Sequence, residues 1–468
     1  MTPTSSNRQQ RRGERLATRR YERAVWVTVA VATGLAILAL AIYALQGPRL
    51  RSGAVDLVRA VASPQTSLRF EADRPIAPLQ DTQVTIEPSV DFRVSTQGAL
   101  ASVTFLDALD SGTTYRVEVE GVRGEWQASE STWVYEFSTP AARMFYLVRG
   151  DEGESDRILS VGVGSEPPLE AYRAENMDAF VPIGSTLVVF SAGLEGSRAE
   201  LVEPVSGRVD RLVLPQDVVI NDVFTPASGT RVAFTLSSLS SGEFDRTLFV
   251  VDTAGARTPT VITGLDGEPL RVTEAAVVPA SDTLVAWVDD VRVVSVDLRS
   301  SLVLPIAEEA ARLWGVTSRG DQVVLVDVGG TVAIDINTLE ETRILPAQLS
   351  GRDVFEGQTL LLSDGRRIQT VAIGNAQGTD FTSLIAVGDD AALTPLYRTP
   401  DDRGSIGAFV ASPSDQYVAI ETIPDRSRRE SDERVLESRD VSSTIVVVDV
   451  ETQQVVHSVE GVLPVWAR

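Results

Sequence analysis

The chain has 468 residues, 43% of them apolar, with 65 acidic residues against 42 basic ones and a formal net charge of -23. All the basic residues are arginine, cysteine is absent and the only histidine is His457. Disulfide scaffolds and Cys/His zinc sites are excluded, a histidine-based triad would rest on His457 alone, and the acidic balance opposes nucleic-acid binding.

Residues 1–23 hold seven arginines (Arg8, Arg11, Arg12, Arg15, Arg19, Arg20, Arg23) against Glu14 and Glu22, and read as a basic polar tail. From Ala24 to Leu45 no residue is charged. As a helix these 22 residues would rise ~33 Å, enough for a bilayer core of ~30 Å. Trp26 and Tyr43 sit near its ends, and the arginines before it place 1–23 in the cytoplasm. The stretch is too long for a signal h-region and precedes no A-x-A-like site, so an uncleaved single-pass anchor over 24–45 is expected, with everything after it outside the cytoplasm. Beyond the tail the charge is about -28 by count. Such a field repels nucleic acid and anionic lipid, and the membrane contact is expected through the helix alone.

Residues 46–63 read as a linker that includes a possible helical turn. Over 64–140 the apolar period becomes two. LRFEAD, TQVTIEP, ASVTFLDAL, YRVEVEGV and WVYEFST alternate apolar with polar residues between turn clusters, which predicts a small β-sandwich. Gly112 in a turn before Tyr115 suggests a tyrosine corner, with a buried ring and a hydroxyl bonded to nearby backbone. Phe70 to Pro75, Thr85 to Pro88, the L-x-x-G-T-x-Y turn at Leu109 to Tyr115 and Phe137 to Thr139 resemble bacterial Ig-like domains of surface-layer type. That resemblance implies a spacer or adhesion role.

From 142 to 468 the chain repeats a unit. A turn leads into an apolar strand at Pro182 to Phe190, Pro226 to Phe234, Pro279 to Trp287 and Pro413 to Ile420, and Ser318 to Asp321 is a variant without proline. A second strand ends in an acid and a turn at Asp252, Asp297, Asp335 and Asp449, with Glu203 a close relative and Leu384 to Asp389 a degenerate one. This period predicts a β-propeller. Taking Pro182 and Pro464 as equivalent turns gives seven blades, with six or eight as alternatives, and Val462 to Trp466 closing the ring onto MFYLVRG. The P-x-S-x-x-x-V-A-F and V-D-x-x-T-G patterns resemble the TolB-like and WD-repeat-like propellers of exported bacterial proteins. Propellers of that kind bind proteins, peptides or sugars, and no functional residue carries over from the resemblance.

No catalytic, cofactor-binding or metal-ligating constellation stands out, and no cofactor is expected. His457 falls in an alternating strand, there is no G-x-S-x-G elbow, and the acidic loop 150–156 lacks calcium-loop spacing. Arg319-Gly320-Asp321 spells an adhesion tripeptide but fills a blade turn, and the repeated aspartates read as residues bonding their own turns. The mixed-charge run Glu421 to Ser443 reads as a mobile excursion and a place for a partner contact. These features lead to the expectation of an all-β, membrane-anchored, extracytoplasmic binding or scaffold protein of the cell envelope, not an enzyme, recognising a protein or cell-wall component. The alternative is a carboxylate-based hydrolase or lyase acting on envelope glycans, drawing on acids such as Asp289-Asp290, Asp389-Asp390 and Asp401-Asp402.

Overall fold

The computed structural model describes residues 25–37 and 46–467, apart from 127, 151–153, 165–166, 192, 194–195, 227–228, 375–380, 390–391 and 433–438. Residues 25–37 form an exposed helix. Among the described residues no helix is long and apolar enough to cross a membrane. The anchor expected over 24–45 is therefore not found there, and its remaining residues, like the tail 1–23, lie outside the described ones.

Two sheets share one core in the sandwich. One runs Leu50–Ala54, Ser67–Ala72, Leu100–Phe105, Phe92–Gln97; the other runs Val84–Glu87, Thr114–Arg123, Glu130–Ser138. Their alternating inward residues, among them Phe70, Val103, Phe105, Val117 and Trp133, form a single buried cluster. The stretch read as a linker supplies the edge strand Leu50–Ala54 and the short helix Leu57–Ala62, whose N-cap Asp56 accepts from the Arg59 amide. The tyrosine corner is present. Tyr115 is buried, its hydroxyl accepts from the Asp110 amide at 3.0 Å, and its ring stacks on Phe137 with centroids 5.6 Å apart.

Among the described residues seven sheets follow, antiparallel except where Leu349 pairs in parallel with Leu393 in the sixth, and we number them as blades in chain order. Blade 1 is built from Arg143–Val148, Asp156–Gly162 and Leu169–Ala174, with Val462–Trp466 as its inner strand. Blades 2 to 5 span 177–212, 218–261, 272–307 and 312–343; blade 6 spans 355–398 and carries an extra hairpin over 348–353; blade 7 spans 405–460. The last strand of the chain thus pairs with the first of the ring, Val462 opposite Leu147 and Trp466 opposite Met144, so no inner edge is left for another chain to extend.

Apolar clusters weld neighbouring blades. Phe190 of blade 2 and Phe234 of blade 3 lie 5.9 Å apart between ring centroids, and Val285 of blade 4 shares a cluster with Leu325 of blade 5. All seven inner strands carry a register shift, at Met177/Ala179, Ile220/Val223, Val272/Glu274, Leu313/Gly315, Glu356/Thr359, Ile406/Phe409 and Val462/Val465. A bulge there increases local twist and turns side chains away from strict alternation.

Candidate functional site

Strand directions alternate within each blade, so the turns joining first to second and third to fourth strands fall on one face. Turns joining second to third strands, and the connections between blades, fall on the other. We call these the near and far faces.

The sandwich docks on the near face. Arg319, in the inner turn of blade 5, donates through Nε to Asp107 Oδ1 at 2.5 Å and through Nη2 to Asp107 Oδ2 at 2.8 Å and Asp91 Oδ2 at 2.6 Å. The Asp107 hydrogen bond, followed by that of Asp91, holds its pKa above the ordinary arginine value against the cost of burial. Gly320 follows at φ 76°, where an added Cβ would meet the Pro279 carbonyl oxygen at 3.1 Å. The Arg-Gly-Asp tripeptide is thus a glycine-dependent turn whose arginine is engaged within the chain. Beside it the Ser111 amide donates to Gln416 Oε1 of blade 7 at 2.9 Å.

Next to Gln416, Asp415 Oδ2 accepts from the Ser318 hydroxyl at 2.6 Å and the Ser363 amide at 2.8 Å. One buried carboxylate therefore ties the inner turns of blades 5, 6 and 7 together. Burial pushes its pKa up to about 6, although both hydrogen bonds oppose the shift.

The repeated turn acids do what their spacing suggests. Asp252 Oδ1 accepts the amides of Ala254 and Gly255, Asp297 those of Arg299 and Ser300, Asp335 those of Asn337 and Thr338, and Asp449 that of Thr452. The Ser300 amide first, and the Thr338 amide first, keep Asp297 and Asp335 below the usual carboxylate range. His457 pairs with Val447 on the outer strand of blade 7.

Of the acids proposed for glycan cleavage, four are each engaged by a separate partner, and Asp401 lies in the short turn beside Asp402. Asp289 pairs with Arg292 at 2.8 Å, and Asp290 accepts from Thr273 at 2.6 Å and from Arg271 at 2.9 Å. Asp402 pairs with Arg398, Asp389 accepts the Ala392 amide, and Asp390 lies outside the described residues. Among the described residues no three His, Cys, Asp or Glu side chains group so as to hold a metal. In the acidic loop, Asp156 is buried and accepts the amides of Gly150 and Met177, while 151–153 lie outside the described residues.

The mixed-charge excursion is more anchored than its composition suggests. Asp432 lies 3.7 Å from Arg149 of blade 1, with both side chains buried, and Ser431 bridges Asp440 in a short antiparallel contact. Arg439 reaches Glu421, whose other oxygen accepts the Leu463 amide of the closing strand at 3.0 Å. The excursion thereby clasps the seam where the ring closes; 433–438 lie outside the described residues.

Further surface features bring together residues from separate strands and loops, most of them on the far face. Arg312 lies over the Trp314 ring at 5.1 Å and pairs with Glu274 at 3.4 Å. Phe355 and Phe381, both exposed, meet edge to face at 5.3 Å in blade 6. A cleft of about 140 Å³ opens between the 264–271 connection leaving blade 3 and the Asp289 turn of blade 4. A second, of about 90 Å³, lies between blades 2 and 3 on the near face, where Asp210 pairs with both Arg208 and Arg257.

No protein-family model matches the chain, and no curated protein matches it. Among solved structures, a dihydro-heme d1 dehydrogenase is similar at 13% identity and a TM-score of 0.44, over 69% of this chain and 74% of that one. An oligogalacturonate lyase gives 10% identity and a TM-score of 0.44 over 87% of this chain and 99% of that one. The WD40 domain of Toxoplasma gondii coronin gives 12% and 0.40 over 61% and 71%. At these scores the propeller assignment rests on the strand order above. Enzymes nevertheless stand among the neighbours, which overturns the expectation that the chain is not an enzyme: propeller form is shared by catalytic and binding proteins, and a modular shape is no ground for excluding activity.

Proposed function

We propose that the chain is a membrane-anchored extracytoplasmic protein that binds or scaffolds a protein or cell-wall partner through its propeller, on a sandwich of bacterial Ig-like type serving as spacer. The observation that carries this reading is the docking of the sandwich through Arg319 and Gln416 on the near face. A spacer seated there directs the far face, with its loops, aromatic pair and cleft, away from the attachment. Loops held by a rigid ring are the usual place for recognition. The anchor is supported by the uncharged run 24–45 behind seven arginines.

Photocrosslinking in native membranes tests the reading, with the probe at exposed Phe355 on the far face and, as control, at exposed Val205 in a near-face turn of blade 2. A partner recovered from the far-face position and not from the control supports it. Background-level recovery from both positions, or release of the whole protein by alkaline carbonate washing, would overturn it.

A further inference from the structure

The far-face cleft between blades 3 and 4 has a floor and a rim of different chemistry. Leu270, Val294 and Val303 are buried beneath it, and Leu265 stands 73% exposed at its lip. Four carboxylates line it against two guanidinium groups, and those arginines do not cancel them evenly. Arg271 is turned to Asp245 at 2.7 Å and Asp290 at 2.9 Å, and Arg292 pairs with Asp289. Asp266 is occupied by the Glu268 amide. Among the described residues neither Glu268 nor Glu308 closes an ion pair within 4 Å, although Glu308 adds its field to that on Arg292.

We propose that this cleft receives one arginine or lysine side chain presented by a partner protein, its aliphatic stem on the apolar floor and its cationic head between Glu268 and Glu308. Long cationic side chains bury their stems while keeping their heads wet, and a half-apolar cleft with an acidic rim matches that division. At about 140 Å³ the cavity is well below the few hundred cubic ångströms of a typical small-molecule site, so a single side chain suits it better than a free metabolite. The chain's charge of -23 favours approach of a cationic partner and repels an anionic one. Arg292 already shows the preference from inside the cleft. Asp289 first, with Asp266 and Glu308 adding to it, holds its pKa above the ordinary arginine value. The assignment rests on the binding reading above and names the chemistry of the partner.

Calorimetry on the full chain in detergent, at low ionic strength, compares acetyl-leucyl-arginine amide with its citrulline counterpart, which keeps the shape and removes the charge. The arginine probe is expected to saturate at millimolar concentration and to bind about fivefold tighter than the citrulline probe, as two partly screened charge contacts allow. The double substitution Glu268→Gln/Glu308→Gln is expected to erase that difference, and Leu265→Ser to weaken both probes about twofold by removing lip contact. Equal binding of the two probes, or a double variant indistinguishable from the parent, would overturn the assignment. Crosslinking separates this failure from that of the parent reading: a partner still captured at Phe355 by the double variant leaves the far face as a binding surface and removes the cleft from it.

Discussion

Arg319 and Asp107, 212 positions apart in the chain, form a two-pronged ion pair that fastens the propeller to the sandwich. Arg319 is 30% exposed at its side chain, so the pair is partly shielded from solvent and Asp91 adds a third contact. Replacing Arg319 by Gln is expected to weaken docking by about 1–2 kcal/mol, and by Lys somewhat less, because lysine keeps the charge and loses the planar fork. Hydrogen exchange at the Ser111 amide should quicken in both variants while the blade cores stay protected, and an unchanged rate at Ser111 would show that the ion pair is not what holds the domains together.

Asp415 gives the junction a pH dependence of defined sign. Its folded pKa of about 6 lies above the ordinary 3.8 because burial penalises the charge. Its contribution to stability is therefore fully present below about pH 4 and is lost as pH rises through 6. Asp415→Asn keeps the size and the acceptor and removes the titration. The variant should match the parent near pH 4 and exceed it at pH 7.5 by on the order of 2–3 kcal/mol. Partnered acids such as Asp297 and Asp335 pull the other way at low pH, since their lowered pKa values make stability fall with acidification. Urea unfolding of both proteins at several pH values isolates Asp415, and a pH-independent difference would refute this assignment.

Tyr115 anchors the sandwich corner with one hydrogen bond and one stacked ring. Tyr115→Phe retains the ring and leaves the Asp110 amide without its acceptor, a loss of about 1 kcal/mol. Tyr115→Ala also opens a cavity and is expected to cost about 3–5 kcal/mol. Denaturant midpoints of the two variants should keep that order.

Outside blade 6, the second and third strands were legible because they are buried on both faces and read as apolar runs, as in Arg231–Ser238 and Thr247–Asp252. Apart from the closing strand Val462–Trp466, the inner strands were not, since each bulge breaks the period of two that would have announced it. Blade 6 was obscured for another reason. Its second strand buries Arg367 and Gln369, which bond to the Leu345 carbonyl and the Thr359 hydroxyl, so polar letters occupy core positions. The turn aspartates were readable because their partners lie two or three residues away. The cleft, the Asp415 tie and the Arg319 latch join loops tens to hundreds of residues apart, and no local pattern encodes such meetings.

Closure of the ring depends on a short strand at the end of the chain. Trp466 is buried, stacks on Tyr417 with centroids 6.3 Å apart, and donates from its indole nitrogen to the Val410 carbonyl at 3.1 Å, joining blade 1 to blade 7. Trp466→Ala removes the ring and leaves that carbonyl without its donor, which should cost about 3–5 kcal/mol. Trp466→Phe keeps most of the packing and should cost roughly half as much, because the hydrogen bond is lost and the cavity is small. Deleting 462–468 is a harsher change, since it strips the inner partner from Arg143–Val148 and exposes an apolar edge to other chains. Size-exclusion chromatography of the truncated protein is expected to show aggregates where the Phe variant remains monodisperse, and a monodisperse, fully stable truncation would mean that the other blades hold the ring closed without this strand.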